Sequence, residues 1–217
     1  MENFSTLQQI FIWAIPVLFA ITLHEVGHGY IAKLLGDPTA AERGRLSLNP
    51  LKHVDPMGTV VMPLVAFFLS GFVFGWAKPV PVDWSRLKNR KRDIALVALA
   101  GPGVNLIMIG IWIVLAMLFM DGANQNNMFA IIIILMAWAG IIINSLLMIL
   151  NLFPLPPLDG SRVLYALLPD KWGAKYLQIE PYGLIILILL LVSGILFKVL
   201  GPVLTGVQTF LFQLIMQ

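Results

Sequence analysis

Apolar positions in this chain fall into long unbroken runs, not into the alternation of a half-buried strand or the one-sided stripe of a surface helix. Runs of about the 20 residues that a bilayer crossing needs cover roughly 10–35, 92–120, 128–153 and 181–200. A fifth apolar stretch, about 57–75, carries Pro63, Gly71 and Gly75. The tail, "VLTGVQTFLFQLIMQ", is short for a span and is expected to form an interfacial or re-entrant helix. The pattern predicts an all-α polytopic membrane protein. Its expected parts are a bundle of four or five transmembrane helices, a re-entrant or broken segment, and short interfacial strands or loops, in a single membrane-embedded domain over 1–217.

Composition agrees. Hydrophobic residues make up 59% of the chain and charged ones 12%, with a mean hydropathy of +0.89. A soluble globular domain has about 25% charged residues, so that class is excluded. The opening "MENFSTLQQ" has an acid and no Lys or Arg, unlike the basic start of a signal peptide, and the first run is expected to be a retained helix. The chain has no cysteine, which excludes disulfides, thiol chemistry and Cys-ligated metals.

Charge sets the expected orientation. The basic residues, which give a net +3 and a pI near 9.3, sit in loops at 33–52, 78–92 and 162–175, whereas "DGANQNN" at 121–127 has none. Short basic loops stay cytoplasmic, so they require no nucleic acid partner, and 92–120 and 128–153 become an antiparallel pair joined outside. The stretch 57–75 then starts and ends on one side and is expected to dip into the membrane and return. The alternative is a true span that puts the 78–92 loop outside. Trp13, Trp76, Trp84 and Trp172 lie near the proposed interfaces, where aromatic anchors collect.

Against this background "AITLHEVGHGYIAKLLG", residues 20–36, stands out. An ionisable side chain at the centre of a spanning helix costs about 2.5–3.5 kcal/mol on insertion scales, and this helix has His24, Glu25 and His28. Residues i and i+4 share a helix face, so the two imidazoles can converge on one zinc ion while Glu25 reaches an adjacent water as general base. The competing reading is a pair of histidines that hydrogen-bond neighbouring helices. A catalytic zinc usually takes three protein ligands. Asp159, in "NLFPLPPLDG", follows three prolines that end a helix and fix an extended backbone, and it is the expected third ligand. His53, in "LKHVDPMG", is its rival, although the surrounding residues favour a capped turn. Asn144 and Asn151 lie two turns apart on one helix face. Asn144 is expected to make an interhelical hydrogen bond, and Asn151 either does the same or donates to a substrate oxyanion.

"HEVGH", "ALAGPGVN" at 98–105 and "NLFPLPPLDGSRVL" at 151–164 together resemble the site-2 protease family of intramembrane zinc metalloproteases, in the family's order and across about 20–165. The resemblance is to its short prokaryotic members that lack PDZ and CBS domains. It implies one zinc ion held by His24, His28 and Asp159, Glu25 as the catalytic base, and Asn151 facing the substrate. The implied activity is hydrolysis of a peptide bond in or near the transmembrane segment of a membrane-protein substrate. The expected location is the cell membrane, with the site toward the cytoplasm. The competing class is a non-proteolytic zinc-binding protein, or a metal or proton transporter that uses the same residues.

Overall fold

The computed structural model describes residues 4–62, 64, 68, 75 and 77–215. Helix α1 (Thr6–Leu34) opens with a reciprocal cap, in which the Ser5 hydroxyl accepts from the Gln8 amide and the Gln8 side chain accepts from the Ser5 amide. At 29 residues it is about 43 Å long, more than a bilayer's hydrocarbon core requires. It ends at a turn through Gly36, whose φ of +115° lies in the region open to glycine. The fully buried Asp37 carboxylate accepts from the Thr39 amide at 3.0 Å and the Asp83 amide at 2.7 Å, which pins the 83 loop to the end of α1. The Asp83 carboxyl is itself held below the usual carboxylate range by hydrogen bonds from the Ser85 hydroxyl and amide.

Short helical pieces follow: α2 (Thr39–Glu42), a 3-10 turn at Pro50–His53, and a π-helical turn at Pro56–Val61 capped by the Asp55 carboxylate. The re-entrant segment expected over 57–75 continues beyond these turns. Past Met62 it lies outside the described residues except for Leu64, Phe68 and Gly75, as does Trp76.

Helices α3 (Arg90–Asn124) and α4 (Met128–Asn151) form an antiparallel hairpin, and α1 packs against both. Between α3 and α4, Asn126 takes a positive φ of 58° and the Asn127 side chain caps α4. Their shared core is Met108, Trp112, Ala116, Ala137 and Ile141. Gly140 admits the flat Trp112 indole, because a Cβ there would strike the ring.

Pro154, Pro156 and Pro157 stop α4, and the chain restarts as α5 (Asp159–Leu167), which packs on α3. Lys91, near the start of α3, holds the far end of α5 by bonding the Leu168 carbonyl at 2.6 Å and Asp170 at 2.5 Å. Next come α6 (Asp170–Leu177), α7 (Glu180–Val192) and α8 (Ile195–Ile215).

Two expectations are corrected here. The apolar run at 181–200 is not one helix: α7 ends at Val192, and the chain turns through Gly194 at φ +72° before α8 begins. The tail therefore belongs to a 21-residue helix long and apolar enough to cross, not to a short interfacial one. Hydropathy alone misses the break because the Ser193–Gly194 pair is too short to interrupt the apolar run on either side of it. No strand occurs among the described residues, where turns and short helices join the longer helices. The chain is an all-α polytopic membrane protein; among the described residues four helices are able to span, and up to five if the bent α6–α7 pair counts as one.

Candidate metal centre

Three side chains from two distant parts of the chain meet at the end of the bundle formed by the start of α3 and the end of α4. His24 Nε2 lies 3.1 Å from His28 Nε2 and 3.2 Å from Asp159 Oδ2, and His28 Nε2 lies 3.3 Å from the same carboxylate oxygen. The side chains are 8%, 12% and 20% exposed, so water does little to separate them.

Each imidazole is oriented by its other nitrogen. His28 Nδ1 sits 2.7 Å from the Val97 carbonyl and His24 Nδ1 sits 2.6 Å from Asn105 Oδ1. A carbonyl oxygen only accepts, so Nδ1 carries the proton in both rings and both Nε2 lone pairs face inward. Asp159 Oδ2 is buried and receives no hydrogen bond. Two lone pairs and a carboxylate oxygen at this spacing repel one another. A single proton would satisfy only one pair of the three atoms, whereas a divalent cation satisfies all of them. The three separations also match the edge of a tetrahedron, about 3.3–3.4 Å for bonds of about 2.0–2.1 Å. The donor set and its geometry fit a zinc ion.

Glycines make the approach possible. A Cβ on Gly101 of α3 would lie 2.6 Å from His24 Cε1 and Nε2, and closer still to His28 Nε2. One on Gly27 of α1 would lie 2.8 Å from a Val104 methyl and 3.1 Å from the Ala100 carbonyl. The backbones of α1 and α3 therefore meet closely enough for Val97 to reach His28. Gly160 plays the same part for Asp159, since a Cβ there would strike the Leu152 carbonyl and lie 2.7 Å from that of Phe153.

Glu25 stands beside the cluster without joining it. Its carboxylate accepts the Val80 amide at 2.7 Å, from an irregular stretch in which Val80 stands between Pro79 and Pro81. Arg45 holds that stretch by donating to the Lys52 carbonyl at 2.6 Å and the Lys78 carbonyl at 2.8 Å.

The structure does not bring His53, the rival ligand, to the imidazole pair. Its Nε2 lies 2.9 Å from the Ser47 carbonyl, in the loop that Arg45 secures. Asn144 makes the expected interhelical hydrogen bond, accepting from Asn105 at 2.9 Å. Asn151 is half-buried at the end of α4 and donates one amide hydrogen to the Leu147 carbonyl at 3.0 Å, which leaves its second N–H available. Sequence reasoning gave no role to Asn105, Gly101 or Val80. Of these only Asn105 carried a signal, as an amide inside an otherwise apolar span.

Similar proteins point the same way. The chain is 37% identical over 201 residues to Putative zinc metalloprotease YwhC of Bacillus subtilis, covering 88% of this chain and 85% of YwhC. It is 30% identical over 181 residues to Putative zinc metalloprotease Rip2 of Mycolicibacterium smegmatis, and 29% identical over 180 residues to the protein of that name from Mycobacterium tuberculosis. In both cases 81% of this chain aligns with 64% of the relative's length. No family model matches the chain, and no solved structure matches it. By its likeness to YwhC, the chain belongs to the zinc metalloprotease family that YwhC represents.

Proposed function

We propose that this protein is an intramembrane zinc endopeptidase of the site-2 protease type, cutting a peptide bond within or beside a transmembrane segment of a membrane-protein substrate. The observation that carries the reading is the triangle of His24, His28 and Asp159 side-chain atoms, 3.1–3.3 Å apart, inside a bundle of spanning helices. In this reading those side chains hold one zinc ion per chain. When bound, zinc supplies a Lewis acid that lowers the pKa of a water toward about 7 and polarises a carbonyl.

The protein's own residues do the rest. His24 and His28 present Nε2 to the metal, each held through Nδ1 by an acceptor on the far side of the ring. Glu25 takes a proton from the attacking water and returns it to the leaving amine. The Val80 amide fixes the orientation of the Glu25 carboxylate before substrate arrives. Asn151 offers its remaining N–H to the oxyanion that forms on the scissile carbonyl. The basic loops support a cell-membrane location with the site toward the cytoplasm. Because the chain has no cysteine, a single cysteine introduced at Lys88 tests this cleanly: labelling from outside in intact cells would reverse the orientation.

A substrate helix must unwind locally, because its carbonyls are engaged in i to i+4 hydrogen bonds. Incubation of the purified protein with a single-pass membrane substrate, with and without chelator, followed by mapping of the cut, tests the activity. We expect chelator-sensitive cleavage near Gly, Pro or Asn, residues that make helix unwinding less costly, and slower cleavage of a poly-Leu segment. Equal cleavage of the two segments would contradict the unwinding step, and no cleavage of either would contradict the activity.

A further inference from the structure

Beyond the ligands themselves, two buried asparagines form a chain of hydrogen bonds that ends on His24. Asn105 and Asn144 are both 0% exposed. Asn144 Nδ2 donates to the Gly140 carbonyl at 2.8 Å, its Oδ1 accepts from Asn105 Nδ2 at 2.9 Å, and Asn105 Nδ2 also faces the Ala20 carbonyl at 3.3 Å. Asn105 Oδ1 then meets His24 Nδ1 at 2.6 Å.

The polarity of this chain is set by its anchors. A main-chain carbonyl can only accept, so Gly140 fixes which end of the Asn144 amide carries hydrogens. That leaves Asn144 Oδ1 as an acceptor, which together with the Ala20 carbonyl fixes the Asn105 amide. Asn105 Oδ1 must then accept, so the proton on His24 sits at Nδ1 and its Nε2 lone pair points at Asp159. If the Asn105 amide were reversed, its oxygen would face two acceptors and the His24 proton would move to Nε2, into the space the zinc needs.

We infer that Asn105 and Asn144 are positioning residues that set the tautomer of His24 and so pre-form the metal site, the polarity originating in the α4 backbone at Gly140. The inference rests on zinc binding at His24, His28 and Asp159. Asn144 touches no ligand, yet it influences zinc affinity through Asn105.

The experiment uses the full-length wild type with Asn105→Leu, Asn144→Leu and Asn144→Asp. The last, kept as the neutral acid by complete burial, retains an oxygen for Asn105 to donate to and an O–H for the Gly140 carbonyl. Thermal unfolding checks that each variant folds. Zinc affinity is read by competition with a chelator, and the ring tautomer by 15N NMR of the metal-free, histidine-labelled protein, which has only three histidines. Partners that orient a ligating histidine typically contribute 10–100-fold to affinity. Asn105→Leu is expected to lose about that much and to shift His24 toward the Nε2–H tautomer. Asn144→Leu should lose less, in the same direction, and Asn144→Asp should stay near wild type. If Asn105→Leu does not fold, the two Asn144 variants decide. Wild-type affinity and an unchanged His24 tautomer in the folded Leu variants would overturn the inference and leave the pair a clamp between helices. A wild type that binds no zinc would instead overturn the metal site itself.

Discussion

Protein carrying Glu25→Gln is expected to load zinc as the wild type does and to cleave a single-pass membrane substrate about 10²–10⁴ times more slowly, the range that a positioned general base contributes. The substitution keeps volume and shape, and the carbonyl oxygen of the introduced side-chain amide can still accept the Val80 N–H that now bonds the carboxylate. What it removes is the basic oxygen. Because Glu25 lies outside the group formed by His24, His28 and Asp159, the proposed metal ligands are untouched. Cleavage measured beside zinc content therefore separates a hydrolase from the competing readings. A protein in which zinc only braces the fold has no use for a base beside it, and a transporter would show metal flux in liposomes. Wild-type cleavage by Glu25→Gln would remove Glu25 from the reaction.

The second large effect is expected at a residue with no side chain. A methyl group at Gly101 would sit 2.6 Å from His24 Cε1 and Nε2, and nearer still to His28 Nε2. Neither ring can yield cheaply, because each is tied through Nδ1, one to Val97 and the other to Asn105. The helices cannot part freely either, since Gly27 of α1 rests against Val104 and Ala100 of α3. Overpacking of this kind costs about 1–3 kcal/mol. If that strain falls on the metal site, zinc binding in Gly101→Ala weakens by about 5- to 150-fold. Gly103, two residues on in the same helix, has nothing within 4 Å of where its Cβ would stand, so Gly103→Ala is the matched control and should bind zinc normally. Equal zinc affinity in the two variants would mean that the contact between α1 and α3 is looser than the structure describes.

How far the site can be read from the chain alone depends on the range of the interaction. His24, Glu25 and His28 were legible because one turn of helix brings i and i+4 together whatever the tertiary fold. Asp159 was legible because the prolines before it end a helix and direct the next residues, and because charge in the loops places that end of the bundle on the same side. Asn105 reaches His24 across 81 residues and Val80 reaches Glu25 across 55. Nothing local to either residue encodes these partners. Gly101 was silent for a different reason, since a glycine in a span records only that something passes close by. The expected bundle was right in kind, but the break at Gly194 shows in the sequence only as a Ser193–Gly194 pair within an otherwise apolar run, so the last span was placed too early. His53 was a reasonable rival by residue type. Its ring is instead engaged by the Ser47 carbonyl in the loop below the 78–80 stretch.

The central claim is that His24, His28 and Asp159 hold one zinc ion, and zinc K-edge X-ray absorption with metal quantitation on the purified wild type and on Asp159→Ala tests it most directly. The expected wild-type result is one zinc per chain, bound to two imidazole nitrogens and a carboxylate oxygen at about 2.0–2.2 Å, with occupancy falling sharply in the variant. Full occupancy and an unaltered spectrum in Asp159→Ala, or a wild-type zinc shell without imidazole, would contradict it.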